Sequence, residues 1–553
     1  MLLTVMTFIP LVGSLFLLLI PTKPETKNLT RAFTLAVTVI DFIVSLVVLG
    51  HFDGSSAQLQ MVEKVSWMPA YGINYFFGID GISLWLVLLT TFLTPLTVLA
   101  SWNAISEKVK SFHACILILE TAMLGTFLAM DAVLFYFFWE LMLIPMYLMI
   151  GVWGGEKRIY ASVKFFIYTM VGSVFMLIAI IALMYYNQAQ TGVISASLLD
   201  FYKLKIPFDA NHFLNPQTLM FFAFALAFAI KVPMFPLHTW LPDAHVQAPT
   251  PGSVILAGVL LKMGTYGFLR FAIPLFPEAA SQYAWLFVAL AVFGIVYGAL
   301  VAMVQPDMKK LVAYSSVSHL GYVILGLFSF NVQGVSGGLY QMLNHGVSTG
   351  ALFLLVGMIY ERTHSREIAK YGGLAKALPV FAILFLIVTM SSIAVPGTNG
   401  FIGEFLILLG AFQMNHWAAA IAVTGVIWGA VYMLWMYKRV FFGKPGELVP
   451  VVEDDHGHGG HGHGHGGHGH GHGGHDHGSS HASHSHAHPL HDLSVREIAV
   501  MVPLVVFIFW MGLFPNHFLD KTKASIDSFV QNRGHYQLTI KDDKTSASSV
   551  AVK

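Results

Sequence analysis

Apolar runs of about twenty residues recur along the whole chain, near 2–20, 31–50, 79–101, 112–130, 132–152, 161–186, 217–237, 252–273, 282–304, 309–329, 334–360, 378–412, 416–442 and 496–515. A helix rises 1.5 Å per residue, so each run can cross a hydrocarbon core of about 30 Å. In that medium a backbone amide finds no water, and a single uninterrupted run satisfies its own polar groups only as a helix. The expected fold is an all-α polytopic membrane protein with about fourteen transmembrane helices. Composition agrees: 11% of the 553 residues are charged, against about 25% in a soluble chain. The first run has neither a basic segment before it nor a small-residue cleavage site after it, and reads as helix one rather than a signal peptide.

Thirty basic residues against twenty-nine acidic give a net charge of +1, which removes nucleic acid as a partner. The single cysteine, Cys115, excludes a disulfide framework and an ordinary four-thiolate iron–sulfur cluster on this chain. It is expected to pack as a small hydrophobe, and any redox chemistry that serves the protein is expected on other chains. Lysine and arginine set the orientation. Connections after odd-numbered runs carry seventeen of them, and those after even-numbered runs carry three, Lys64, Lys203 and Lys205. Both termini are expected to face outward, although the basic tail beyond 515 argues mildly against this.

Two runs contain helix breakers. Ile230-Lys231-Val232-Pro233 lies in the seventh and Ile393-Ala394-Val395-Pro396 in the twelfth, five helices apart. The shared motif suggests an internal repeat, and interrupted helices at matching places in two repeats mark ion sites in transporters. Four ionisable residues fall inside apolar runs: Glu140, Lys231, Lys262 and Glu404. At mid-membrane they cost together on the order of 10 kcal/mol unless they pair or meet water, so they are expected to face the protein interior. Burial penalises each charge and an opposite charge nearby restores it, so opening one ion pair loads or expels a proton at its neighbour. Glu140 with Lys231 would be such a switch, with Lys262 receiving the proton and Glu404 releasing it.

His319 and His345 lie in the tenth and eleventh runs, the latter beside Asn344, Ser348 and Thr349. An ordinary pKa near 6.5 suits both to proton transfer, and each could equally be a core histidine satisfied by a carbonyl. His238 and His245, at a membrane edge, either take up protons or cap a loop. Lys164 either joins the relay or snorkels to the surface. Asp41 and Glu120 are read as structural.

The stretch KVPMFPLHTWLPDAHVQAPTPGSVILAGVLLKMGTYGFLR, followed by QPDMKKLVAYSSVSHLGY and PGTNGFIGEF, resembles the antiporter-like subunits of respiratory complex I, the proton-translocating NADH:quinone oxidoreductase, over roughly residues 70–440. Glutamate rather than lysine at 404 is the mark of the subunit M (mitochondrial subunit four) branch. The resemblance implies Glu140 and Lys231 as a pair, Lys262 as central proton carrier and Glu404 as outlet-side carrier. It also implies two inverted five-helix repeats with broken helices seven and twelve, and a place in the membrane arm between neighbouring antiporter-like subunits. No cofactor is expected on this chain; NADH, flavin, iron–sulfur clusters and quinone are expected on partner subunits. The expected location is the bacterial plasma (inner) membrane. A multisubunit cation/proton antiporter, a membrane-bound hydrogenase and a scaffold whose charges only fix packing are the competing readings.

The expected organisation is N-terminal helices over 1–110, a first repeat over 111–275, a second over 276–442, a Gly/His-rich loop over 443–495, a last helix over 496–515 and a polar tail over 516–553. Residues 456–491 hold fifteen of the twenty-six histidines. Such low-complexity sequence cannot pack a core and is expected to be disordered. Its imidazoles, His456, His458, His461, His463 and His465 among them, suit zinc, nickel or copper without a fixed tetrahedral spacing; a polar linker with incidental metal affinity fits as well.

Overall fold

The computed structural model describes residues 1–449, 490–532 and 538–541. Helices α1 (Leu2–Leu17) and α2 (Lys27–His51) open the chain. An antiparallel hairpin follows, β1 (Gln60–Met68) paired with β2 (Ile73–Ile79), with Val65 opposite Tyr75. This hairpin departs from an all-helical reading, and the apolar run that starts near 79 becomes helical only at Leu84. The β-branched and aromatic residues of INYFFGI favour a pleated strand, and Gly72 supplies the left-handed turn, φ 64°, that reverses the chain.

Next come α3 (Leu84–Ala104), α4 (Val109–Leu128), α5 (Ala132–Leu141), α6 (Leu143–Trp153) and α7 (Arg158–Thr191). The Asp131 carboxylate starts α5 by accepting the amides of Val133 and Leu134. It also accepts the Asn74 amide at 2.9 Å, which ties α5 to the hairpin. A single apolar run bends at Met142 into α5 and α6, because Pro145 has no N–H to give to the Leu141 carbonyl.

A one-turn α8 (Leu198–Phe201) leads to α9 (Pro216–Lys231) and α10 (Trp240–Gln247). The continuous helix Thr250–Leu275 consists of α11 (Thr250–Ile255), α12 (Leu261–Gly267) and α13 (Ile273–Leu275), separated by wide π turns at Leu256–Leu260 and Phe268–Ala272. Then follow α14 (Pro277–Gln282), α15 (Ala284–Met303), α16 (Met308–Leu327), α17 (Val332–Thr363) and α18 (Leu374–Ala377). The chain continues through α19 (Pro379–Ser392), α20 (Asn399–Met414), α21 (His416–Phe441), α22 (Val495–Leu513) and α23 (Asn516–Gln531). Among the described residues ten helical segments are long and apolar enough to cross a membrane. The chain is a multi-pass membrane protein.

Two elements form the axis of the bundle, Thr250–Leu275 and α17, both buried along their apolar length. Glycine permits this closeness: a Cβ on Gly337 of α17 would stand 2.6 Å from the Ile407 amide nitrogen of α20. The outer helices turn exposed apolar side chains such as Ile40, Ile178 and Ile427 to the surroundings, as a lipid-facing surface requires. The segment expected to be a polar tail instead begins with α23, which buries Phe518, Ile526 and Phe529 and accepts a hydrogen bond from Trp85 Nε1 at the Phe518 carbonyl, 3.0 Å.

Candidate functional site

At Leu256–Leu260 the helix widens into a π turn, a feature frequent at functional sites. One turn later Lys262, wholly buried on α12, donates from Nζ to the Ala257 carbonyl and stands 2.6 Å from Nδ1 of His345 on α17. Beyond it, Nδ1 of His319 on α16 meets Glu404 Oε1 of α20 at 2.9 Å. Gln341 Nε2 donates to the same oxygen at 3.1 Å, and Asn344 Nδ2 donates to Gln341 Oε1 at 2.9 Å. The two imidazole rings lie 6.0 Å apart between centroids. Beside them is a space large enough for about one water, lined by His319, Gln341, Asn344, His345, Ser348 and Ser391 among others. His319 Nε2, His345 Nε2 and Asn344 Oδ1 are buried with no hydrogen-bond partner among the described residues.

The break in the twelfth apolar run is stitched by side chains. Ser391 at the end of α19 donates to Oδ1 of Asn399 at the start of α20, 2.5 Å, and Asn399 Nδ2 donates to Ser348 Oγ of α17, 3.1 Å. Ala394 and Gly397 take left-handed backbone between the halves, φ 57° and 92°. The other I-x-V-P motif also falls at a helix end: α9 stops at Lys231. An ammonium thus sits at the negative end of α9, favourable for the helix dipole, and Glu404 lies one turn inside the start of α20.

Lys231 is buried with its Nζ over the Trp139 and Phe165 rings, 5.4 and 5.5 Å from their centroids. Glu140, the residue after Trp139, lies close enough to act on it through space, and Tyr136 and Ser173 approach the carboxylate. Among the described residues the two form no direct ion pair. Chemically the site is a buried row of an amine, two imidazoles and a carboxylate, Lys262, His345, His319 and Glu404, with a second amine and carboxylate, Lys231 and Glu140, in the same bundle, groups that suit it to passing protons.

Two family models together span most of the chain. That described as "NADH:quinone oxidoreductase/Mrp antiporter, TM" matches residues 129–428, and that described as "NADH-ubiquinone oxidoreductase chain 4, amino terminus" matches residues 6–130. The NADH-quinone oxidoreductase subunit M of Rhodobacter capsulatus is 45% identical over 96% of either chain. The chain belongs to the NADH-quinone oxidoreductase subunit M/chain 4 family. Chain 4 of Marchantia polymorpha is 41% identical over 95% of this chain and 96% of its own. A chain of respiratory complex I from Thermus thermophilus superposes with a TM-score of 0.80 at 33% identity, covering 96% of this chain and 99% of that one. The Mrp complex of Dietzia sp. shares the fold, with a TM-score of 0.77 at 21% identity over 96% of this chain and 99% of that one.

The remaining sequence candidates of this subunit M family chain fall around that line. His245 is buried flat against Phe353, centroids 4.6 Å apart, within the electrostatic reach of Lys262 and Lys309. His238 is buried among Phe235, Tyr297 and Tyr314. Lys164 is tied to Asp243 of α10 at 2.7 Å. The candidate metal-binding His456, His458, His461, His463 and His465 lie outside the described residues. At the start of the tenth apolar run, Asp307 caps α16 and places Lys309 in its first turn, where it is buried and donates to the Ala248 carbonyl at 2.5 Å. It lines a cavity of about 190 Å³ with Gln247, Thr250, Tyr360 and Arg366. Asp80 and Arg270, wholly buried and 2.6 Å apart, escaped the sequence reading because each stands at the edge of its apolar run. Gln341 and Asn399 escaped because an amide in a glycine-rich helix carries no charge signal.

Proposed function

We propose that this chain is a proton-translocating, non-redox membrane subunit of an NADH:quinone oxidoreductase in a bacterial plasma membrane. NADH, flavin, iron–sulfur clusters and quinone belong to its partner subunits, and its neighbours in the membrane arm are other antiporter-like subunits. The named relatives support the assembly, and the buried line of ionisable groups supports the role. Fourteen spans with both termini outward, arranged as two inverted five-helix repeats over 111–275 and 276–442, follow from the apolar runs and the two I-x-V-P breaks. With the positive-inside orientation, the cavity beside Lys309 opens on the inward side, and uptake runs from Lys309 past His245 to Lys262. From there the proton passes through His345 and His319 to Glu404, while the state of Glu140 and Lys231 sets how strongly Lys262 holds it. His238 and Lys164 flank the uptake end.

The observation that carries this reading is the pair of contacts Lys262–His345 and His319–Glu404, in one buried row. Its test uses chemistry rather than charge alone. Arginine keeps the cation but is not deprotonated in a protein. Reconstituted complex with Lys262→Arg is therefore expected to lose quinone-coupled proton uptake as fully as Lys262→Met. Near-normal pumping by the arginine variant beside a dead methionine variant would return Lys262 to a structural role.

A further inference from the structure

Outside the relay, α1, α2, α3 and α4 enclose a second pair of ionisable groups. Val37 of α2 and Leu117 of α4 share one small apolar cluster with Leu17 of α1. One turn further along each helix stand Asp41 and Glu120, both wholly buried. Their carboxyls act on one another, and all four oxygens have no hydrogen-bond partner among the described residues. The packed neighbours supply no counter-charge: α1 and α3 hold no ionisable residue, and α3 offers the Thr94 hydroxyl, which faces Glu120. On the same helices Arg31 lies ten residues before Asp41, and His113 seven before Glu120. Across α4, the packed elements α5 and α12 carry Glu140 and Lys262, both already placed in the relay.

Two ionised carboxylates acting on one another in a membrane interior, with the Thr94 hydroxyl beside Glu120 and no cation on α1 or α3, repel each other and forfeit most of their hydration. One proton removes the repulsion, and the acid O–H donates to the carboxylate oxygen, so a single remaining charge is hydrogen-bonded and shared between the two groups. We propose that Asp41 and Glu120 share one proton as a buried acid–carboxylate pair, a proton-holding site in the N-terminal bundle separate from the relay. A second proton taken from the aqueous phase would neutralise the pair, and loss of the shared one would leave two bare charges.

Infrared spectra of the purified whole complex at neutral pH, wild type against an Asp41→Asn/Glu120→Gln double variant, test this. The amides keep the volumes and hydrogen-bond to each other. The difference spectrum is expected to contain one carbonyl stretch of a protonated carboxylic acid, shifted in heavy water, together with one carboxylate band. Carboxylate bands alone, or carboxylate bands that respond to sodium chloride but not to choline chloride, would overturn the proposal in favour of an ionised pair or a sodium site. Acid bands alone would show two protons and overturn the sharing. If the double variant does not assemble, either Asp41→Asn or Glu120→Gln alone is expected to do so, the amide N–H replacing the shared donor; failure of both also overturns it.

Discussion

Lys231 ends its helix over two aromatic faces, and Glu140 reaches it only through space. Attraction across such a gap is weaker than at contact, so the charge state of either group can change without first breaking a hydrogen-bonded ion pair. Glu140→Gln keeps the volume and removes both charge and proton; NADH-driven pumping per assembled complex is expected to fall on the order of 10²-fold, with Glu140→Asp retaining part. Normal pumping by the glutamine variant would rule out the switch. A structural pair behaves differently. Arg270→Met strands the Asp80 carboxylate in the core and should cost about 3–5 kcal/mol, seen as a lower melting temperature of the purified complex. Adding Asp80→Asn should recover much of that loss. At this scale the sequence exposed the four charges deep inside apolar runs but neither the charges at run edges nor the partners: Asp80 and Arg270 are 190 positions apart, and nothing local records that they meet.

Helices here are shaped where their hydrogen-bond ladder fails. Just before Lys262 the helix widens into a π turn, and a carbonyl of that turn, Ala257, accepts from its ammonium, and Ser391, Asn399 and Ser348 fasten the two halves of the broken helix to α17. Gly337→Ala would drive a methyl group against the α20 backbone near Ile407. Backbone cannot rotate aside, so a loss of about 1–3 kcal/mol is expected, read as reduced assembly of the subunit or a lower melting temperature, while Gly429→Ala, with nothing within 4 Å of the added carbon, should be silent. The breaks at I-x-V-P were legible because proline and a charge interrupt an apolar run. The bend at Met142 was not read, although Pro145 was a visible signal, and the β1–β2 hairpin was hidden because INYFFGI is as apolar as a helix start. Apolarity reports burial; it does not by itself choose between periods.

Across the whole molecule, every proposed relay residue lies between 140 and 404, away from the Gly/His-rich insert. Deleting 456–491 is therefore expected to leave NADH-driven pumping near wild type while abolishing retention on a nickel-chelate column; lost pumping in an assembled mutant would put those histidines in the proton path. The family, the membrane character and the four central charges were all legible in the sequence, because each is written as local composition or motif. The order in which histidine contacts link Lys262 to Glu404 was not, since it depends on which faces of α12, α16, α17 and α20 meet. That order has a further consequence. Lys262–His345 and His319–Glu404 are each joined internally, yet their rings stand 6.0 Å apart between centroids, and Glu140 does not touch Lys231. Conductors joined end to end would short-circuit the membrane, letting protons run back whenever electron flow paused. In the proposed relay, a row of separated couples would insulate at rest and would conserve stored voltage until the driving reaction closed its gaps in turn.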